Sequence, residues 1–236
     1  MMPTMRALGF LLALVVATPT MAEPGISLFW DSCNGSSVRT FACNMNTGTD
    51  YLFGSFVPPA GITAMTANEV VLHVIQPQGS SWPSWWEFKN TGSCRTLALS
   101  VSFNGTTDSS GTCTDYWAGR ALGGIGAYQT WAANIRRIVL VGAVAIADAG
   151  PVDPAREYFS FRLGIDHRAT VGSTACSGCA EQVCIALMSI KLAQPVGLGD
   201  HLVTRERVST VASWQQPCFI VPVRNRTWGA VKALYR

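Results

Sequence analysis

Hydrophobic and polar positions alternate with a period of two along most of this chain. Leu97, Leu99, Val101 and Phe103 alternate with Ala98, Ser100 and Ser102, and Phe159, Phe161, Leu163 and Ile165 alternate with Ser160, Arg162 and Gly164. Successive side chains of a strand point to opposite faces, so each run predicts a strand with one face buried and one wet. Val70, Leu72 and Val74, around Val71 and His73, form a less polar version. Residues 184–192 (CIALMSIKL) read as another strand, with Ser189 and Lys191 turned to solvent. Residues 138–147 (IVLVGAVAIA) are apolar throughout and far short of the roughly 20 residues a membrane helix needs, which predicts a strand buried on both sides. Weaker candidates are 26–30, 51–57 and 219–223.

Clusters of Gly, Pro, Asn, Ser and Thr separate these runs at 44–50, 58–61, 76–84, 104–111, 123–126, 150–154 and 172–178. Short strands between such turn signals predict an all-β fold, an antiparallel, jelly-roll-like β-sandwich. Nothing marks a second domain, so residues 23–223 form one unit. The final segment, 224–236, predicts a short C-terminal helix: Thr227 can cap 228–235, with Trp228, Val231, Leu234 and Tyr235 on one face. Gly229 weakens that helix by about 1 kcal/mol, so it needs packing to form.

The first 22 residues read as a secretory signal peptide. Arg6 precedes an apolar run of eleven residues, then come Pro19 and the small-residue pattern Thr20-Met21-Ala22, which sets cleavage before Glu23. Export predicts a secreted or periplasmic protein without a membrane span. Seventeen Lys and Arg against fourteen Asp and Glu give a net charge of +3, too balanced and scattered for a phosphate-binding surface, so no nucleic-acid partner is expected. Hydrophobic residues make up 48% of the chain and charged ones 13%, enough to build a large core.

Eight cysteines in an exported chain predict disulfides. Cys33 and Cys43 flank the turn-rich stretch 34–37, and Cys94 and Cys113 flank the hairpin signal Asn104-Gly105, so Cys33–Cys43 and Cys94–Cys113 are the expected local bridges. Cys176, Cys179, Cys184 and Cys218 then supply two more, with their connectivity open. A redox dithiol at Cys176-x-x-Cys179 lacks the helix N-terminus that lowers a thiol pKa, and a zinc site using Cys218 lacks paired-knuckle spacing. No metal and no cofactor are expected.

The stretches FACNMNTGTDYLFGSFVPPAGITAMTANEVV, WPSWWEFKNTGSCR, CTDYWAGRALGGIGAY, TVGSTACSGCAEQVCIALMSIKL and RTWGAVKALYR resemble a family of exported bacterial proteins. The resemblance spans nearly the whole chain after the signal. It implies one domain and an exported bacterial setting, and it carries over no activity and no functional residue.

Candidate ligand chemistry rests on aromatics. Trp82, Trp85 and Trp86 lie within five residues of turn-rich sequence, and Trp117, Tyr128 and Trp131 lie in a Gly-rich region. Indole faces stack on sugar rings, so Trp82, Trp85, Trp86, Trp117 and Trp131 are the candidate ligand-binding residues of a non-catalytic module for carbohydrate or another surface polymer. Opposed to this, indoles commonly fill a core, and adjacent Trp85 and Trp86 point to opposite faces in an extended segment. A second possibility is a structural or assembly protein of the cell surface, using the Arg224-Asn225-Arg226-Thr227-Trp228 tail to dock a partner. Catalysis has little support: Asp166-His167-Arg168 reads as a polar turn, and Glu87, Asp115 and Glu157 would need to converge in space to make a hydrolase.

Overall fold

The computed structural model describes residues 23–78, 81–89, 92–105, 108 and 110–218. The signal peptide 1–22, the strand candidate 219–223 and the C-terminal helix within 224–236 lie outside the described residues. Among the described residues no helix is long and apolar enough to cross a membrane.

Two sheets face each other in a sandwich-like arrangement. The smaller runs β1 (Gly25–Trp30), β3 (Thr49–Val57), β8 (Tyr158–Asp166), β5 (Leu99–Ser102), all antiparallel. The larger runs β2 (Val38–Arg39), β11 (Val211–Trp214), β9 (Val183–Ala193), β4 (Ala67–Ile75), β7 (Ile135–Ala143), β6 (Leu122–Ala132), with β10 (His201–Val203) also on β9. Among the paired strands described, only the short β2–β11 contact is parallel. Between the sheets, Leu52, Phe56, Val70, Leu72, Val74, Phe161, Leu163, Ile165 and Ile190 are excluded from solvent, as their alternation requires.

One polar link crosses this apolar layer. A register shift at Gly54/Ser55 leaves Ser160 as the extra residue on β8, because Gly54 opposes Phe161 and Ser55 opposes Phe159. Buried Asn68 of β4 donates its amide to Ser160 Oγ (2.7 Å) and accepts the Gly142 N–H (3.2 Å). The same Ser160 carbonyl accepts the Trp117 indole N–H at 3.1 Å. These contacts fix the offset between the sheets.

Two expectations change here. Residues 138–147 predicted a strand buried on both faces, yet β7 buries Ile138 and Leu140 while Val139 is half-exposed and Val141 is 38% exposed. The larger sheet is an outer layer, and no described element covers its far side. Residues 123–126 read as a turn but belong to β6. Gly123 is a packing glycine: a Cβ there would fall 2.8 Å from the Phe103 ring, and one on its partner Gly142 2.5 Å from it.

The disulfides also depart from expectation. They are Cys33–Cys113, Cys43–Cys179, Cys94–Cys176 and Cys184–Cys218. The expected local bridges Cys33–Cys43 and Cys94–Cys113 do not form. Asn104-Gly105 makes no hairpin; after β5 the chain crosses to a parallel bridge between Thr114 and Tyr158, carrying Cys113 to Cys33. Cys176 and Cys179 close on the two cysteines this releases. Cys184–Cys218 alone lies within the group of four expected to pair among themselves.

Candidate functional site

Three of the five candidate tryptophans are interior. Trp85, Trp86 and Trp117 are fully buried and cannot meet a ligand. The cause is local geometry: Ser84–Trp86 is a 3-10 turn, so the adjacent indoles do not diverge as they would on a strand. Both instead enter an aromatic cluster with Trp214, at centroid distances of 5.0 and 5.2 Å, which Phe41 extends by stacking on Trp214 at 3.9 Å. Trp85 Nε1 donates to Thr170 Oγ1 (3.0 Å) and Trp214 Nε1 to the Cys179 carbonyl (2.7 Å). Trp82 is half-buried, with the Arg136 guanidinium 4.3 Å from its ring. Trp131 is 55% exposed and is the one candidate of the five left largely open.

Sequence reading missed Arg95, the cation beneath this cluster. It is buried, lies 3.4 Å over the Trp85 ring, and donates to the carbonyls of Trp85 (2.7 Å), Arg168 (3.1 Å) and Asp166. Burial depresses its pKa to about 9 despite the nearby Asp166 carboxylate, so it remains charged at neutral pH. No motif announces such a residue, since all its acceptors are main chain.

The candidate catalytic groups are occupied structurally. His167 pairs with Asp50 (Nε2 to Oδ2, 2.5 Å) rather than with Asp166, which binds Arg168 (3.0 Å). His167 Nδ1 is buried with no hydrogen-bond partner among the described residues, packed where the ring meets Trp85 and Trp214. A small depression of about 270 Å³ beside it includes Arg39, Thr40, Thr47 and Asp50, with Arg39 spanning Asp31 and Asp50. Glu87 binds Arg136 (2.7 Å), Asp115 caps the Trp117 and Ala118 N–H groups, and Glu157 accepts from Ser55 (2.6 Å) and Arg207. Cys33, Cys113 and Asp108 lie close together, but the sulfurs are joined and offer no thiolate, and Asp108 accepts main-chain N–H groups.

The open feature is the outer face of the larger sheet. Odd-numbered positions of β4 face outward, and the ladder sets Val71 beside Val139 and Ser189, His73 beside Arg137 and Ala186, and Ile75 beside Ile135. A second register shift, at Val71/Leu72, turns Met188 outward at 43% exposure. A groove of about 710 Å³ crosses this face, floored by His73, Ile75, Ala186 and Val211 and walled by Glu206 and Cys218. At its edge a bulge at Thr130/Ala132 throws Trp131 onto the outer surface, 5.8 Å from the His73 ring and 4.8 Å from the Arg137 guanidinium. Burial, and then the Arg137 charge, lower the His73 pKa below the usual histidine value, which keeps the ring neutral at pH 7. An uncharged ring among Val, Ile, Ala and Met makes the floor apolar.

No protein-family model matches the chain, and no curated protein matches it. Solved structures with coarse similarity include a cohesin module from a Clostridium perfringens family 33 glycoside hydrolase (6% identity, TM-score 0.38, 82% of this chain and 98% of that one). Others are the sixth cohesin of Acetivibrio cellulolyticus scaffoldin B, solved with a Cel5 dockerin (6%, 0.32, 82% and 99%), and the seventh ScaB type I cohesin of Pseudobacteroides cellulosolvens (8%, 0.31, 86% and 98%). Scores this low assign neither a family nor a partner to the chain.

Proposed function

We propose that this chain is an exported, non-catalytic assembly module that holds a protein partner on the outer face of its larger sheet. The single observation that carries this reading is the placement of apolar groups. Its tryptophans are largely spent inside, while Met188, Val141 and Trp131 stay exposed and Ile75, Val139 and Val211 part-exposed on one face beside a groove. Contiguous exposed apolar surface of this kind marks an interaction site in stable proteins. Four disulfides support export, because such bridges persist in oxidising compartments. The carbohydrate reading loses Trp85, Trp86 and Trp117 to the core. The chain leaves the described region at Pro217 and Cys218, both on the groove wall, so a tail-mediated contact would start at the same face.

Site-specific photo-crosslinking in the producing cell tests this. A benzophenone side chain at Met188, on the groove, is expected to give one defined protein adduct. The same group at exposed Ser100, on the smaller sheet, is expected to give none. Equal adducts from both sites, or none from Met188, would remove the groove as the docking surface.

A further inference from the structure

We infer that the occupant of this face is an extended peptide segment presenting a carboxylate, from Asp or Glu, to Arg137 beside Trp131. The inference rests on the assembly reading and names the chemistry of the partner.

Arg137 is an unpaired cation on this face; among the described arginines only Arg162, stacked on Tyr51 in the smaller sheet, also has neither an ion pair nor a side-chain hydrogen bond. Seven other arginines (Arg39, Arg120, Arg136, Arg156, Arg168, Arg205 and Arg207) each lie within ion-pair distance of an Asp or Glu. Arg137 has no ion pair or hydrogen bond to any described residue, and among the described arginines only its side chain has a buried nitrogen, Nε, without an acceptor. Nε is itself shielded, and the terminal guanidinium nitrogens, unpaired and not buried, are the donors that an outside acceptor would meet. The surrounding charges leave that role open. β6 carries no charged residue, Glu69 is within 3.8 Å of Lys191, and Glu206 stands on the groove wall rather than at Arg137. His73, pushed toward neutrality, does not compete for an anion.

The apolar surroundings define the rest of the partner. Val139, Ile75 and Ile135, all part-exposed, flank Arg137 at strand spacing, which suits alternate side chains of an extended peptide better than a sugar. One face of Trp131 is already taken by the guanidinium, which removes the free indole platform a saccharide would need. A Trp and an Arg side by side next to apolar surface match the residue types that dominate binding energy at interfaces. A guanidinium takes a carboxylate through two parallel hydrogen bonds.

The test uses the oxidised protein and three fluorescein-labelled probes followed by anisotropy. They are a nonapeptide of alternating Val and Thr with one central Asp and Ser ends, the same peptide with Asn at the centre, and an oligogalacturonate. The Asp peptide is expected to bind at least about tenfold more tightly than the Asn peptide, with the difference shrinking in high salt. Arg137→Gln should bring the Asp peptide to the Asn level without changing the thermal midpoint, and Trp131→Ala should weaken both peptides. Equal binding of the two peptides would overturn the carboxylate inference while leaving the docking face intact. Arg137-dependent binding of oligogalacturonate alone would overturn the peptide assignment. Binding by none of the probes would overturn the inference, and the photo-crosslink from Met188 separately decides whether the face docks anything.

Discussion

Arg95→Ala is expected to lose about 3–5 kcal/mol of stability, the scale seen when one partner of a buried charged network is removed. Arg95 is 1% exposed, and its guanidinium reaches three carbonyls on two segments, Trp85 in the 3-10 turn and Asp166 and Arg168 at the end of β8. Alanine removes the donors and leaves the buried Trp85 carbonyl unmet, at about 1–3 kcal/mol, with smaller losses at the part-buried Asp166 and Arg168 carbonyls. It also opens a void under the Trp85 ring, now packed 3.4 Å from the guanidinium carbon. Arg95→Met restores part of the volume and none of the hydrogen bonds, so it should fall between wild type and alanine. Urea unfolding of the oxidised proteins, read by tryptophan fluorescence, gives the order. A loss below about 1 kcal/mol in alanine would show that the three carbonyls find other donors.

The second large effect belongs to the longest disulfide. Cys43–Cys179 closes 136 residues, whereas Cys184–Cys218 closes 34. Chain-entropy scaling makes these bridges worth about 5 and about 4 kcal/mol in the unfolded state. Cys43→Ala/Cys179→Ala also loosens the aromatic cluster, because the Trp214 indole donates to the Cys179 carbonyl and Gln215 donates to Cys43 Sγ and Cys179 O. The double variant at 43 and 179 should therefore have the lower urea midpoint of the two. With about 5–15 kcal/mol of total stability in a typical domain, it is expected to be partly unfolded at 37 °C. Equal midpoints would mean that the 43–179 bridge is slack in the folded protein.

What the sequence made legible was local. Period-two alternation located β4, β8 and β9, because a half-buried strand writes its pattern into consecutive residues. Two failures trace to partners far away in sequence. Gly123 looks like a turn signal until Phe103 is seen to need its missing Cβ atom. Cysteine spacing favoured short loops, whereas three of the four bridges span 80 residues or more, which only the sheet topology can arrange.

The candidate site was half legible. Of the candidate tryptophans Trp131 does stay outside the core, whereas Trp85 and Trp86 are buried, since a turn-rich stretch can point inward when it folds as a 3-10 turn. The apolar run of β7 was visible, but it was read as doubly buried. The same residues left open make the groove, and no pattern within one strand records whether another layer covers it. Arg137 directly follows Arg136 in the chain. Only the structure separates them, Arg136 facing inward onto Glu87 and Arg137 outward without an acceptor.

The measurement closest to the central claim is the size of the native complex after gentle extraction from the producing cell, compared between wild type and Val139→Glu. Val139 sits mid-sheet on the outer face, half-exposed, so a carboxylate there reaches water and leaves the fold intact while spoiling the apolar surface. The account predicts that wild type migrates in a complex larger than the single chain, and that Val139→Glu, with an unchanged thermal midpoint, migrates alone. A variant that keeps the complex, or a wild type that runs as a single chain, would contradict it.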